Sequence, residues 1–328
     1  MKSKKDKKKY PKVSFVICTL NCRDYLERCL KSIWEQDYPK NKIELIVVDS
    51  YSTDGTIEIA RILGAKVILT KIRGYMEGKG MPKSIGCSKA KGDIIVTIDS
   101  DNALVEKDWI KKMIYPLIIN KDISLAIGRM AVVKSDPAVN QYLSLVGTDP
   151  FAIYGSIDPQ ISLDNLNLKD NGRYYTYNLN LNNLLILGGY GIAYKRETLK
   201  SIGGYHRDVD NIYLLAKKNK ANIAIVKDAH LHHLITTGIF DFLRKKIKWG
   251  KFYFNDKTKR EFKWNRGAFG RFGKIRFLYE VIKDLIFFPE LFVSLKMFIN
   301  TKEKAWLYHA PMTFATTLAY IIAYIKSK

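Results

Sequence analysis

Residues 94–102 read IIVTIDSDN: an apolar run with the pattern of a buried strand that stops at two carboxylates one residue apart, Asp99 and Asp101. Burying either charge without a partner would be costly, so a cation is expected to meet them. Working outward, the residues before this run alternate between two periods. KVSFVICT (12–19) reads as a strand. NCRDYLERCLKSIWEQ (21–36) reads as a helix, with Tyr25, Leu26, Cys29, Leu30, Ile33 and Trp34 on one face and Asn21 placed to cap it. IELIVVD (43–49) is a second strand, TIEIARILG (56–64) a short helix and AKVILT (65–70) a third strand; the helix MPKSIGCSKAKG (81–92) then leads into DIIVTID (93–99). Apolar strands separated by helices predict an α/β domain, a Rossmann-like, mostly parallel sheet with helices on both faces.

In such sheets ligands sit beyond the carboxyl ends of the strands. Each strand here ends in a polar residue at that edge: Thr19, Asp49 and Asp99. Asp49 opens the polar turn DSYSTDGT (49–56), in which Ser52, Thr53 or Asp54 can cap the next helix. Two carboxylates in an Asp-x-Asp spacing can serve one hard divalent cation, Mg²⁺ or Mn²⁺, which typically takes one or two protein carboxylates plus the oxygens of a diphosphate. Taken alone, the spacing is also common turn chemistry; the acidic strand ends around it make it specific.

In this setting the sequence resembles glycosyltransferase family 2, inverting nucleotide-sugar transferases of the glycosyltransferase A fold. The resemblance covers roughly residues 11–240 and rests on four ordered landmarks: VSFVICTLN (13–21), IELIVVDSYSTDGT (43–56), KGMPKSIGCSKAKGDIIVTIDSDN (79–102) and GGYGIAYKRETLKSIGGY (188–205). It implies that Asp49 contacts the nucleotide base, with Thr19 and Asn21 at the same end, and that Asp54 orders the turn or meets the nucleotide. Lys83 would lie near the diphosphate, where the family often has Arg; a plain surface lysine is the alternative. Asp99 would face the ribose or sugar, and Asp101 would bind the metal. The catalytic base would come from HRDVDNIYLLAKKNK (206–220), where Val209 replaces the first acid of the family's pair and Asp210 remains, with Asp208 as the second choice. Helix capping is the plain alternative for Asp210. In DAHLHHL (228–234) either His232 or His233 would complete the metal site; strand alternation puts His230 and His232 on one face and His233 on the other. No QxxRW-like motif follows, so transfer of a single sugar is expected.

The second half is less regular. Residues 155–183 are rich in Asn, Asp and Tyr and read as a long loop region. LGGYGIAYK (187–195) reads as a strand, ETLKSIGG (197–204) as a helix ending on glycines, DNIYLLAKKNK (210–220) as a helix and NIAIV (222–226) as a strand.

Charge is distributed unevenly over the 328 residues: Lys and Arg total 55 against 32 acids, a net +23. The first twelve residues hold seven lysines to one aspartate, and residues 241–328 hold nineteen basic to seven acidic side chains. In the C-terminal stretches FDFLRKKIKWGKFYF (240–254) and FLYEVIKDLIFFPELFVSLKMFI (277–299) that charge is interleaved with aromatic and aliphatic residues, a mixture suited to an anionic bilayer surface rather than to nucleic acid. The plain alternative is a helical subdomain whose apolar faces cover a core. AWLYHAPMTFATTLAYIIAYIK (305–326) contains His309 and Pro311 and reads as interfacial or re-entrant. The four cysteines form no ligand pattern and are expected to be free thiols.

The expected organisation is a basic tail over 1–11, a catalytic domain over 12–240 and a basic, aromatic-rich helical region over 241–328. The expected function is metal-dependent transfer from a UDP- or GDP-sugar to a glycan or polyprenyl-lipid acceptor, at the cytoplasmic side of the cell membrane, peripheral or monotopic. A nucleotidyltransferase with a similar acidic site is the alternative; it would carry a glycine-rich basic loop after the first strand, and CTLNCRDYL (18–26) has none.

Overall fold

A computed structural model describes residues 10–72, 81–147, 149–150, 168–181, 184, 191–255 and 273–328. The chain forms two compact units: residues 1–131 with 167–233, and residues 132–166 with 234–328. The units divide at three places along the chain, and the stretch 132–166 groups with the C-terminal helices.

The first unit is built on one sheet with the described order β3 (Lys66–Leu69), β2 (Ile43–Asp49), β1 (Val13–Thr19), β4 (Ile94–Thr97), β9 (Ile192–Lys195), β6 (Leu125–Met130), β10 (Asn222–His233), β8 (Tyr174–Asn178), β7 (Lys169–Asp170), and with β5 (Asn102–Leu104) paired to β10. The strands β1 (Val13–Thr19), β2 (Ile43–Asp49), β3 (Lys66–Leu69) and β4 (Ile94–Thr97) run parallel, as their uninterrupted apolar runs require. Side chains alternate between the two faces: Val13, Phe15 and Ile17 join a core under helix α1 (Arg23–Trp34), which buries Leu26, Cys29, Leu30 and Ile33. On the other face lies helix α3 (Pro82–Lys89). A Cβ on its Gly86 would overlap Val16 Cγ1 and lie 3.0 Å from Val48 Cγ2, so only glycine lets this helix settle so close to the sheet. The short helix α2 (Thr56–Ile62) links β2 to β3.

Two features of the sheet were not anticipated. β9 (Ile192–Lys195) enters antiparallel between β4 and β6 (Leu125–Met130), which follows helix α4 (Trp109–Ile119). β10 (Asn222–His233) continues far past NIAIV, through the whole histidine stretch. It pairs in parallel with β6 and changes register between Ile225 and His230. Gly128 of β6 makes room for that irregularity, since a Cβ there would lie 2.6 Å from the Ala229 carbonyl oxygen. Beyond the irregularity, β10 pairs antiparallel with β5 (Asn102–Leu104), placing His233 opposite Asn102.

Of the stretch 155–183, the described residues 168–181 form a hairpin rather than loop alone, β7 (Lys169–Asp170) and β8 (Tyr174–Asn178); residues 155–167 and 182–183 lie outside the described residues, as do 187–190 of the next expected strand and the basic tail 1–9. Helix α5 (Ala138–Val146) belongs to the second unit. Helix α6 (Arg196–Ser201) closes on Gly203 and Gly204, whose φ angles of 84° and 109° suit glycine. Helix α7 (Asp208–Lys217) follows, with both Asp208 and Asp210 in its first turn.

The second unit also contains α8 (Ile239–Asn255), α9 (Gly273–Ile286), α10 (Phe288–Thr301), a 3₁₀ turn (Lys304–Tyr308) and α11 (His309–Ile325). Its core gathers Tyr142, Leu143, Phe242, Trp306 and Met312. Among the described residues no helix is long and apolar enough to cross a membrane.

Replacing Gly86 with Ala is expected to destabilise the protein by about 1–3 kcal/mol, the usual range for overpacking a stiff β-branched neighbour. Chemical denaturation checks this, and an unchanged midpoint would show that α3 lifts off without cost.

Candidate active site

Parallel pairing aligns Thr19 with Asp49 at the carboxyl edge of the sheet. The Thr19 hydroxyl donates to Asp49 Oδ2 at 2.6 Å, and Ser52 donates its N–H to Oδ1 at 2.7 Å and its hydroxyl to Oδ2 at 2.6 Å. Asp49 is wholly buried, so these donors replace the water its charge has lost. It braces the wall of this rim. Asn21 does not cap α1 as its position suggested. It adopts φ 49°, a conformation asparagine tolerates, and its Oδ1 accepts the Thr53 N–H at 2.9 Å while its own N–H donates to Ser52 Oγ at 2.8 Å. Asp54 from the neighbouring turn meets the start of α1 instead, accepting the Arg23 N–H at 3.1 Å, and also accepts the Thr56 N–H at 3.1 Å at the start of α2. Burial pushes the Asp54 carboxyl up, but hydrogen bonds from the Thr56 hydroxyl and these backbone groups outweigh it and hold it below the ordinary range. Of its two expected roles, ordering the turn is the one its contacts perform.

The next strand end carries the charge cluster. Lys83, in the first turn of α3, lies 3.1 Å from Asp99 Oδ1 and 3.5 Å from Asp208 Oδ2. Its side chain is only 11% exposed, which overturns the surface-lysine alternative. Tyr205 donates to the other Asp208 oxygen at 2.6 Å. One ammonium thus joins the end of β4 to the start of α7, elements more than a hundred residues apart. Asp210 is as buried as Asp208, and the cap position of α7 is held by Arg207, which removes the N-cap alternative for Asp210.

Asp101 lies across the turn. Its Oδ2 is 3.3 Å from His233 Nε2, and its carbonyl oxygen accepts a hydrogen bond from Arg28 Nη2 at 2.6 Å. Arg28 Nη1 is 3.1 Å from His232 Nδ1. The alternation expected of the histidines holds: His233 is buried beside Asp101, while His230 and His232 point the other way and are half-buried. His230 pairs with Glu106, 2.5 Å from its Oε1, and is a satisfied structural histidine. Arg28, Glu106 and Tyr205 carry no local signal of these roles. Arg28 sits beside the apolar stripe of α1, where periodicity reads it as a solvated position; only the folding of β5 and β10 onto α1 gives it partners.

Burial opposes a positive charge on His233, but the Asp101 carboxylate outweighs it and raises the imidazole above its ordinary 6.5. The side chains of Asp99 and Asp101 remain 40% and 36% exposed, although Asp101 Oδ1 is itself turned away from solvent. Among the described residues no group of three His, Cys, Asp or Glu side chains forms a self-sufficient metal cage. The available set is Asp101 with His233, and a neighbouring amide, Asn102, is wholly buried with no hydrogen-bond partner among the described residues. A carboxylate and an imidazole side by side fit Mn²⁺ or Mg²⁺ when a bound diphosphate supplies further oxygens.

A mixed α/β sheet whose parallel strands carry these acidic groups beyond their ends has the architecture of the glycosyltransferase A fold. The model of glycosyl transferase family 2 matches residues 14–203, more than half of the chain, and the chain belongs to that family. This sets aside the nucleotidyltransferase alternative. Among curated relatives, the poly(ribitol-phosphate) β-N-acetylglucosaminyltransferase TarS of Staphylococcus aureus is 31% identical over 102 residues, 30% of this chain and 18% of that protein. The dolichyl N-acetyl-α-D-glucosaminyl phosphate 3-β-D-2,3-diacetamido-2,3-dideoxy-β-D-glucuronosyltransferase of Methanococcus voltae is 30% identical over 105 residues, 31% of this chain and 32% of its own. Matches to the first curated relatives thus span 18–34% of their length. A mannosyltransferase from Pyrobaculum calidifontis, solved with GDP-Man and Mn²⁺, shares the fold with a TM-score of 0.52 at 16% identity, over 95% of this chain and 87% of that one. TarS residues 1–349, solved with UDP, give 0.50 at 18% identity over 97% and 92%.

A folded-state value above 6.5 means that the imidazolium–carboxylate pair stabilises the metal-free protein fully at acid pH, and that this contribution fades as pH rises through the raised value. An NMR titration of His233 is expected to show a midpoint above 6.5 that falls in Asp101→Asn, where burial loses its main opponent; an unmoved midpoint would refute the pairing. Lys83→Met is expected to destabilise the protein by about 1–3 kcal/mol, less than the 3–5 kcal/mol typical of a fully buried pair because Asp99 is partly solvated, with partial recovery in Lys83→Arg. Denaturant titration of the two variants checks it.

Proposed function

We propose that the protein is a metal-dependent inverting glycosyltransferase that moves one sugar from a UDP- or GDP-sugar to an acceptor hydroxyl or lipid phosphate. The observation that carries this reading is the pair Asp99 and Asp101, open to solvent at one strand end, with Lys83 beneath one and His233 beside the other. The base would rest against the wall braced by Asp49, Thr19 and the Asn21–Ser52–Thr53 contacts. Asp99 would face the ribose or sugar. Lys83 holds Asp99 and Asp208 at fixed positions and places a positive charge where a diphosphate would lie. Asp101 and His233 would hold a divalent cation, whose chemistry when bound is to offset the charge that develops on the departing nucleoside diphosphate.

The acceptor hydroxyl must lose its proton as it attacks the anomeric carbon, and the first turn of α7 offers two carboxylates for this. Asp208 has one oxygen engaged by Tyr205 and the other by Lys83, which suits a residue that holds the cluster together. Asp210, the acid that the family resemblance puts at the base position, is assigned the general base, and Asp208 the positioning role. A lipid-linked acceptor at the cytoplasmic side of the membrane is supported by the dolichyl substrate in the name of the Methanococcus voltae relative and by the basic, apolar C-terminal helices.

Asp101→Asn is expected to abolish cation-dependent transfer with the circular dichroism spectrum unchanged; turnover that persists rejects the metal role. Asp210→Asn is expected to lower kcat by about 10²–10⁴-fold with little change in KM for the donor. If Asp208→Asn shows that pattern and Asp210→Asn does not, the two roles are exchanged.

A further inference from the structure

The helices α9 and α10 are amphipathic in the inverted sense. On α9, Ile275, Leu278, Tyr279, Ile282 and Ile286 recur at helical spacing and are exposed; on α10, Phe288, Leu291, Phe292, Leu295 and Ile299 do the same, with Phe288 68% and Phe292 75% exposed. The acids of the two helices, with Ser294 of α10, face inward. Asp284, Glu290 and Ser294 are wholly buried, together with His309 and Thr313 of α11. These interior groups are paired with one another: His309 Nε2 lies 2.8 Å from Glu290, its Nδ1 2.7 Å from the Tyr142 hydroxyl, Lys283 3.1 Å from Glu290, and Thr317 donates to Asp284 at 2.9 Å. A helix facing water on its outer side does the opposite, burying its apolar stripe and exposing its charges.

Charge shows the same asymmetry. Of the four acids in residues 273–328, Glu280, Asp284 and Glu290 are buried and Glu303 is half-buried, whereas Lys296, Lys302, Lys304, Lys326 and Lys328 are exposed. Lys296 sits on α10 itself, Lys302 follows its end, Lys304 lies on the 3₁₀ turn and Lys326 and Lys328 follow α11, so the described outer surface of this helical unit is apolar and cationic, with its negative charge hidden. A second copy docked on the same face would bring like charges together. An anionic bilayer satisfies both features, taking the apolar stripes into its interface and the lysines among its headgroups. At 14 residues each, α9 and α10 are about 21 Å long, short of the ~30 Å hydrocarbon core, so they lie in the interface rather than cross it.

We infer that the helical unit is a monotopic docking surface for an anionic lipid bilayer, inserted through the outward apolar stripes of α9 and α10. This rests on, and deepens, the reading of a lipid-linked acceptor. The test is flotation of the full chain with phosphatidylcholine vesicles, with and without about one third phosphatidylglycerol. The wild type is expected to float with the anionic vesicles and less at high salt. Phe292→Glu is expected to cut the bound fraction about tenfold or more, while Phe240→Glu, an equally exposed phenylalanine on α8, leaves it unchanged. Thermal midpoints of both variants establish that they fold. Wild type that stays with the pellet, Phe292→Glu that floats undiminished, or a lipid-free dimer that Phe292→Glu dissociates would each overturn the proposal. Calorimetric binding of a nucleoside diphosphate with Mn²⁺ separates the two readings: it is expected to be unchanged in Phe292→Glu, and its absence from a wild type that still floats would sink the catalytic reading alone.

Discussion

A single ammonium group holds the candidate site together. Lys83 lies between Asp99 at the end of a central strand and Asp208 at the start of a distant helix, and neither carboxylate pairs with another cation among the described residues. Two like charges drawn into one partly buried cluster would repel each other and lose hydration. With Lys83 between them they become a cross-link. The close seat of α3 on the sheet, which Gly86 permits, brings the lysine to that position.

The rest of the rim follows a similar rule, with specific donors given to its acids whether buried, as Asp49 is, or exposed, as Asp54 is. Asp49 is surrounded by Thr19 and Ser52, Asp54 by the first N–H groups of two helices, and Asp101 by His233. Asp49 and Asp54 use their oxygens to stiffen turns, while Asp99 and Asp101 keep a face open to solvent. That division separates a scaffold of acids from a pair able to meet a ligand. The register change in β10 completes the arrangement, since it directs His233 inward beside Asp101 and leaves His230 to Glu106.

The helical unit solves a different physical problem. Its interior is filled by a polar network around Glu290 and His309, closed by hydrogen bonds and ion pairs, and its apolar stripes face outward. A buried network of this kind is tolerable only when its members satisfy one another. Here they do, and the unit keeps a defined interior while presenting a surface that water alone would disfavour.

How much of this was legible in the chain depends on the range of the interaction. The first four strands, the helices between them and the acids at the strand ends could be read directly, because hydrophobic periodicity and turn chemistry are local and residues such as Thr19, Asp49 and Asp99 end strands whose apolar runs are continuous. The alternation of the three histidines was also readable, being a property of any extended segment. The antiparallel entry of β9, the length of β10, the partners of Arg28 and the burial of Lys83 were not. Each depends on which strands become neighbours, and pairings between residues 70 to 200 positions apart leave no local pattern. In the C-terminal helices the sequence showed an amphipathic mixture but not its orientation; whether an apolar stripe faces a core or the outside is decided only when the other helices pack.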